Sequence, residues 1–309
     1  MDFDLSEDQT AVMTALDSLL TRHRELPAAH RAARDYYDHA LDAALVEAGF
    51  MDLARTPGYG ALEAALMVDA VTRLPGVVEA AASALVAPQL GLDSSLRPLA
   101  LINGDINKPQ RFLPIAKIAL IDTGDDVLLL DIKAGDVKPV ESLFAYPYGR
   151  FITPPDLSRA KRLGSDKVEV LRQWSRVALA VECASAMQAA VSFTVQHVKH
   201  RRQFGRALGS FQTIQHRLAA CEQIARGARL LALRAAASSD PIDAATAAAY
   251  AQQAVQKVLF DVHQFNGAMG MTTEHQLHFW SYRFRALQSE LGGANANAIA
   301  AAELAWGST

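Results

Sequence analysis

Cysteine is nearly missing from this chain: of 309 residues, only Cys183 and Cys221 carry a thiol. They share no CxxC or Cys/His spacing, which excludes a zinc site or a disulfide framework and leaves two buried thiols in a reducing compartment. His216, His263, His275 and His278 have no ligand spacing with nearby acids either, so no metal is expected. The acidic start, Met1-Asp-Phe-Asp-Leu-Ser-Glu-Asp-Gln, lacks the apolar core of a secretory signal, and no uninterrupted membrane span is legible. A cytoplasmic protein without a membrane partner is expected. Excess charge of one sign is absent as well. Lys and Arg number 30 against 33 for Asp and Glu, a net charge of −3; a general nucleic-acid binder usually needs a basic face, so that class is set aside. What the chain has in quantity is hydrophobic residues, 50% of the total, enough to bury a large core across about two domains by the length prior.

Helical periodicity dominates both ends. Ser6 followed by Gln9 is a capping-box pattern ahead of Val12, Leu16, Leu19 and Leu20, and it predicts a helix over 7–24. Leu41, Ala44, Leu45 and Ala48 before Gly49 predict a second over 37–49, and two more fit 61–74 and 76–90 on either side of Pro75-Gly76. After Ser94, short apolar runs at 99–102, 111–113, 118–121, 127–130 and 143–151 predict a small β unit, with a hairpin turn at Gly124-Asp125-Asp126. From Asp166 the helical pattern returns over 168–200, 211–238, 242–265 and 276–304, with Asp240-Pro241 as N-cap and first-turn proline. Alanine-rich antiparallel helices on short loops read as a four-helix bundle suited to a large subunit contact. The fold class is therefore mostly α, with an N-terminal helical domain over 1–95, a short β domain over 96–160 and a C-terminal helical bundle over 161–309.

Between the first two bundle helices lies a basic corner, Arg201-Arg202-Gln203-Phe204-Gly205-Arg206-Ala207-Leu208-Gly209-Ser210-Phe211-Gln212, with Lys199 just before it. Arginine forks and a helix N-terminus suit a diphosphate. A solvated helix end whose cations complement the macrodipole is the other reading of the same residues.

Arg201-x-x-Phe204-Gly205 followed by Phe211-Gln212, and the later Gln264-Phe-Asn-Gly-Ala-Met-Gly turn, resemble the acyl-CoA dehydrogenase family. The acidic N-terminal opening and Val46-Glu-Ala-Gly-Phe agree with it. In that family the corner reaches across a subunit interface to the pyrophosphate and adenosine half of a neighbour's FAD. The resemblance implies that Arg201 binds pyrophosphate oxygens, Phe204 packs near the adenine side and Gln212 hydrogen-bonds the ADP portion. Gln264, Asn266, Gly267 and Ala268 would form a turn against the same half. Ala268 stands where the family has a second glycine, so a looser approach of the backbone is expected there.

Other family parts are missing. Between Leu96 and Arg162 there is no Thr-Glu-Pro-x-Ala-Gly-Ser-Asp segment and no Lys-x-x-Ile-Thr-Asn segment, so a full flavin pocket is not expected in this chain. The family reaction removes an α-proton of an acyl-CoA with a carboxylate while hydride passes to flavin. Alignment puts Leu291 at the usual base position, with Glu290 one place early and so rotated by about 100° on a helix. The family's alternative base position falls on Ser175. Glu182, within the apolar run of the first bundle helix, is the remaining carboxylate: either a base with a raised pKa or the partner of an arginine from a neighbouring helix. Thr272 to His278 is similar to a motif of short companion chains in actinobacterial α2β2 acyl-CoA dehydrogenases that act on bulky steroid-derived thioesters. The resemblance thus implies a companion subunit that completes the FAD site of a full-length partner, with an electron-transfer flavoprotein as acceptor. Two alternatives stay open: a self-sufficient homomeric dehydrogenase using Glu290 or Glu182, and a helical scaffold without flavin.

Overall fold

A computed structural model describes residues 4–307. The first three residues of the acidic opening lie outside the described residues. Helix α1 (Glu7–Leu20) starts on the expected capping box: the Ser6 hydroxyl accepts from the Gln9 N–H at 3.1 Å, and the Gln9 side chain accepts from the Ser6 N–H at 3.0 Å. It buries Leu16 and Leu20 and then tightens into a 3₁₀ turn, short of the expected end at 24. Helix α2 (His39–Glu47) is capped by Asp38 and stopped by Gly49, whose φ of 77° is the left-handed conformation glycine tolerates. Helix α3 (Ala61–Thr72) follows. The helix expected over 76–90 shrinks to a π turn, Ala82–Val86, leading into α4 (Ala87–Gln89). The cause is tertiary. Val77 is drawn into a bridge with Tyr37, its carbonyl accepting from the Asp38 N–H at 2.8 Å, which keeps this stretch extended.

The middle unit holds strands β1 (Leu99–Asn103), β2 (Gln110–Arg111), β3 (Ile118–Asp122), β4 (Val127–Asp131), β5 (Val137–Val140), β6 (Tyr148–Phe151) and β7 (Lys161–Arg162). They form one sheet in the order β1-β3-β4-β7 and a second in the order β2-β6-β5. The β3–β4 pair is the expected hairpin, with Asp122 opposite Val127. One small apolar core belongs to this unit, while the N-terminal helices and the bundle share a single large one.

The bundle is built around α5 (Val168–His200), a 33-residue helix packed against α6 (Gln212–Ser238), α7 (Pro241–Asn266) and α8 (Leu277–Leu287). Contrary to the sequence expectation, α5 is apolar and long enough by composition to cross a membrane; within this fold 83% of its most apolar window is buried, so its hydropathy serves the bundle core. Asp240 caps α7 and Pro241 occupies its first turn, as expected. The helix expected over 276–304 is broken into α8 and α9 (Gly293–Trp306), with Leu291 at φ 53° between them. Both cysteines are buried and free.

Two buried acids fasten the N-terminal helices. Asp69 on α3 accepts from Ser185 on α5 at 2.6 Å and from Arg229 on α6 at 2.7 Å. Glu79 is fully buried and accepts from the N–H groups of Ser83 and Leu99 at 3.0 and 2.9 Å, tying the π turn to β1. Burial pushes the Glu79 carboxyl up to about 7, against the pull of Arg97 and its hydrogen bonds. The folded chain therefore keeps a proton that the unfolded chain loses near 4.5, and stability falls as pH rises from about 4.5 to about 7. Glu79→Gln cannot lose that proton. Thermal unfolding across this window is expected to show a flatter pH dependence for the variant, by about 3 kcal/mol in total; parallel curves for the two proteins would contradict the assignment.

Candidate functional site

Helix α5 ends where Arg201 leaves the helical conformation, its N–H still closing the last turn on the His197 carbonyl at 2.8 Å. A tight hairpin follows, strand β8 (Arg202–Gln203) against β9 (Arg206–Ala207). Phe204 and Gly205 form its tip at φ 53° and 78°, the pair of positive values a primed two-residue turn requires. Glycine takes this at no steric cost, whereas phenylalanine is strained. Phe204 is 87% exposed, its ring edge-on to Phe211 at 6.2 Å, and the Arg206 guanidinium lies 3.9 Å over the Phe211 ring. Gln212 opens α6, whose N-terminus has no side-chain cap. Among the described residues, no carboxylate pairs with Lys199, Arg201, Arg202 or Arg206, although most arginines elsewhere in the fold are paired. Unpaired cations around an uncapped helix start fit a diphosphate chemically.

The second motif lies at the same end of the bundle. Phe265 packs in a cluster with Val198 and Leu218, with Leu208 against it, and the His275 ring stands 5.3 Å from His197. Gln264 is exposed on the last turn of α7, and Gly267 ends that helix at φ 60°. Asn266 instead points inward: it is buried, and its amide donates to the Thr194 hydroxyl at 2.8 Å and the Val262 carbonyl at 2.7 Å. It holds the turn from within. Ala268 is exposed in the 3₁₀ turn Gly267–Met271 without a positive φ, so the missing glycine introduces no backbone strain. The position that needs glycine for space is Gly270, where a Cβ would stand 2.8 Å from that of Asn266.

Both positions at which a base was sought, Ser175 and Leu291, line one cavity of about 500 Å³ between the β unit and the bundle, together with Glu182 and Glu290. Glu290 does not rotate away as a continuous helix would require. Left-handed Leu291, Gly292 and Gly293 remodel the loop and return its carboxylate to the cavity. Each carboxylate is held by Arg111 of β2: one guanidinium nitrogen lies 2.8 Å from Glu182 and another 3.1 Å from Glu290. The guanidinium also faces the rings of Tyr146 at 4.7 Å and Phe112 at 5.1 Å. Burial pushes the Glu290 carboxyl up, while Arg111 opposes the shift. A base needs an oxygen free to meet a substrate C–H: both Glu290 oxygens face this guanidinium, whereas Glu182 gives it Oε1 and keeps a buried Oε2 without a partner. The arginine expected for Glu182 from a neighbouring helix thus comes from a strand 71 positions away. Sequence reading missed it, although a lone cation heading the apolar run Arg111-Phe112-Leu113 was the available signal.

A helical unit, a small β unit and an alanine-rich bundle in this order, with a basic hairpin at one bundle end, define the acyl-CoA dehydrogenase fold. Residues 169–302 match the acyl-CoA dehydrogenase C-terminal domain. Acyl-CoA dehydrogenase IpdE2 of Mycobacterium tuberculosis is 32% identical over 131 residues, 40% of this chain and 41% of that protein, so the match spans less than half of the relative's length. Among solved structures, the ChsE4-ChsE5 complex from Mycobacterium tuberculosis matches with a TM-score of 0.81 at 22% identity, covering 100% of both chains. The Tcur3481-Tcur3483 steroid ACAD matches with 0.78 at 21% identity, over 97% of this chain and 98% of that one. At these identities the structural likeness establishes the fold.

Arg111→Met removes the cation that Glu182 and Glu290 share. Without it Glu182 is a buried carboxylate that has lost its ion pair, and the half-buried Glu290 carboxyl, which its surroundings already push up, favours its protonated form, so the variant's stability should fall as pH rises. A loss of about 3 kcal/mol or more is expected at pH 8 and a smaller one near pH 5.5, read from thermal unfolding. A deficit independent of pH would argue against the double ion pair.

Proposed function

We propose that this chain is a companion subunit of a heteromeric acyl-CoA dehydrogenase, supplying the ADP and pyrophosphate half of an FAD site to a full-length partner. The observation that carries the reading is a division of charge. Among the described residues the cations at the Arg201 corner have no acidic partner, whereas Glu182 and Glu290 in the chain's own cavity are tied to Arg111. Arg201 and the uncapped start of α6 at Gln212 bind pyrophosphate oxygens. Phe204, presented on a strained hairpin tip, packs against the adenosine side. Gln264, Gly267 and Ala268 offer an amide and open backbone to the same half, and Asn266 holds that turn in shape. FAD, when bound, supplies the hydride acceptor; the catalytic carboxylate belongs to the partner. Two of the matched structures are named as pairs of chains, one of them a steroid ACAD, which supports a heteromeric assembly and a bulky, steroid-derived acyl-CoA as substrate. The electrons then pass to an electron-transfer flavoprotein, in line with the family resemblance.

A second reading keeps a specific observation: Glu290 lines the cavity, so a homomeric enzyme with this relocated base would be yellow and active when purified alone. The companion reading expects a colourless chain. In the co-expressed complex, Arg201→Glu places an anion against a diphosphate, and FAD affinity should drop about tenfold or more, from the loss of a charge-assisted hydrogen bond. Undiminished flavin retention in that variant would remove Arg201 from the site.

A further inference from the structure

One part of the sequence motif Thr272 to His278 has no role in the reading above. His275 sits on α5 in a particular way. Its ring stands edge-on to Phe193 at 5.0 Å and to His197 at 5.3 Å. Phe193, His197 and Arg201 follow one another at i, i+4 and i+8, so they share one stripe of the helix and its end. His275 therefore packs one turn below Arg201, while its own backbone continues from the turn Gly267–Met271. Its carbonyl is fixed by the His278 ring at 2.8 Å. From the other side, Asn266 reaches Thr194 on the same helix. The two pieces of the half-site are thus clamped by a pair of contacts, of which only one is uncharged at every pH.

We propose that His275 is a positioning residue that holds the 267–271 turn in register with Arg201 while its imidazole is neutral, and that its protonation opens the cofactor half-site. This deepens the companion reading and rests on it for the identity of the ligand. The physical reason lies in what surrounds the ring. His275 Nδ1 is buried and has no hydrogen-bond partner, so an added proton there would be unsatisfied. The groups that act on the ring are His197 on α5, His278 on α8 and His263 on α7. Beyond them stand further cations: Arg201 acts on His197, Arg34 and Arg283 on His278, and Arg285 on His263. Glu274, the neighbouring acid, is exposed. Burial, then these neighbours, lower the His275 pKa from its ordinary 6.5. An imidazolium at this point has no acceptor for its Nδ1 proton and stands among three histidines that burial and nearby arginines keep from accepting charge, and separating the turn from α5 is the relief open to it. The folded state binds its proton less readily than the unfolded chain, so stability of the clamp is present above about 6.5 and is lost as pH falls below it.

The test compares His275→Phe, which keeps an aromatic edge and cannot titrate, with His275→Ala, which loses the edge contacts. Amide hydrogen exchange of residues 267–276 in the full chain, expressed as protection factors between pH 7.5 and 5, should show acid loosening in the natural sequence and little in His275→Phe. His275→Ala should already be loose at pH 7.5. In the flavin-loaded complex, acid release of FAD, followed by the rise in flavin fluorescence, should move at least half a pH unit lower in His275→Phe. Protection and release curves that coincide for the natural sequence and His275→Phe overturn the proposal. A complex that carries no FAD at pH 7.5 overturns the companion reading instead, and the exchange measurement still decides the clamp.

Discussion

A single guanidinium decides what this chain's own cavity can do. Arg111 comes from the short strand β2 and bridges to Glu182 on the central bundle helix and to Glu290 in the loop ahead of the last helix. It therefore fastens the β unit to the bundle and engages the two carboxylates that a family enzyme could have used as a base. Buried carboxylates demand such a partner, because removing ionised groups from water costs several kcal/mol each unless they are paired. With Arg111 in place, both Glu290 oxygens and one Glu182 oxygen are engaged beside Ser175 and Leu291.

At the other end of the bundle the Arg201 hairpin points outward. The corner exposes a phenylalanine on backbone that disfavours it, keeps several cations unpaired and leaves a helix start uncapped. In the proposed half-site each would become favourable against a diphosphate and an aromatic base, and the strained backbone at Phe204 would serve binding rather than packing.

Local chemistry was legible in the sequence and tertiary constraint was not. Ser6 with Gln9, Gly49, and Asp240 with Pro241 announced helix ends because capping depends on neighbours a few positions away. The β3–β4 hairpin followed from its turn residues for the same reason. The extended stretch before the π turn was hidden because Tyr37, far away in sequence, draws Val77 into a bridge. Strand β5 escaped notice because Pro139 argues against a strand; as the edge of its sheet, β5 can accommodate a residue without an N–H. The broken last helix and the return of Glu290 depend on three successive left-handed residues that no periodicity signals. At the Arg201 corner, the sequence marked the basic hairpin and the helix start at Gln212, whereas the inward turn of Asn266 needed the fold.

The central claim is that half of a flavin site resides here and the other half on another chain. It is tested most directly by co-expressing this chain with a full-length acyl-CoA dehydrogenase encoded beside it and measuring the flavin-to-protein ratio of the purified complex. The account predicts a stable complex carrying about one FAD per heterodimer, set by the one site each pair of chains completes, and no flavin on this chain alone. Flavin bound stoichiometrically to this chain by itself, or a complex that forms without any flavin, would contradict it.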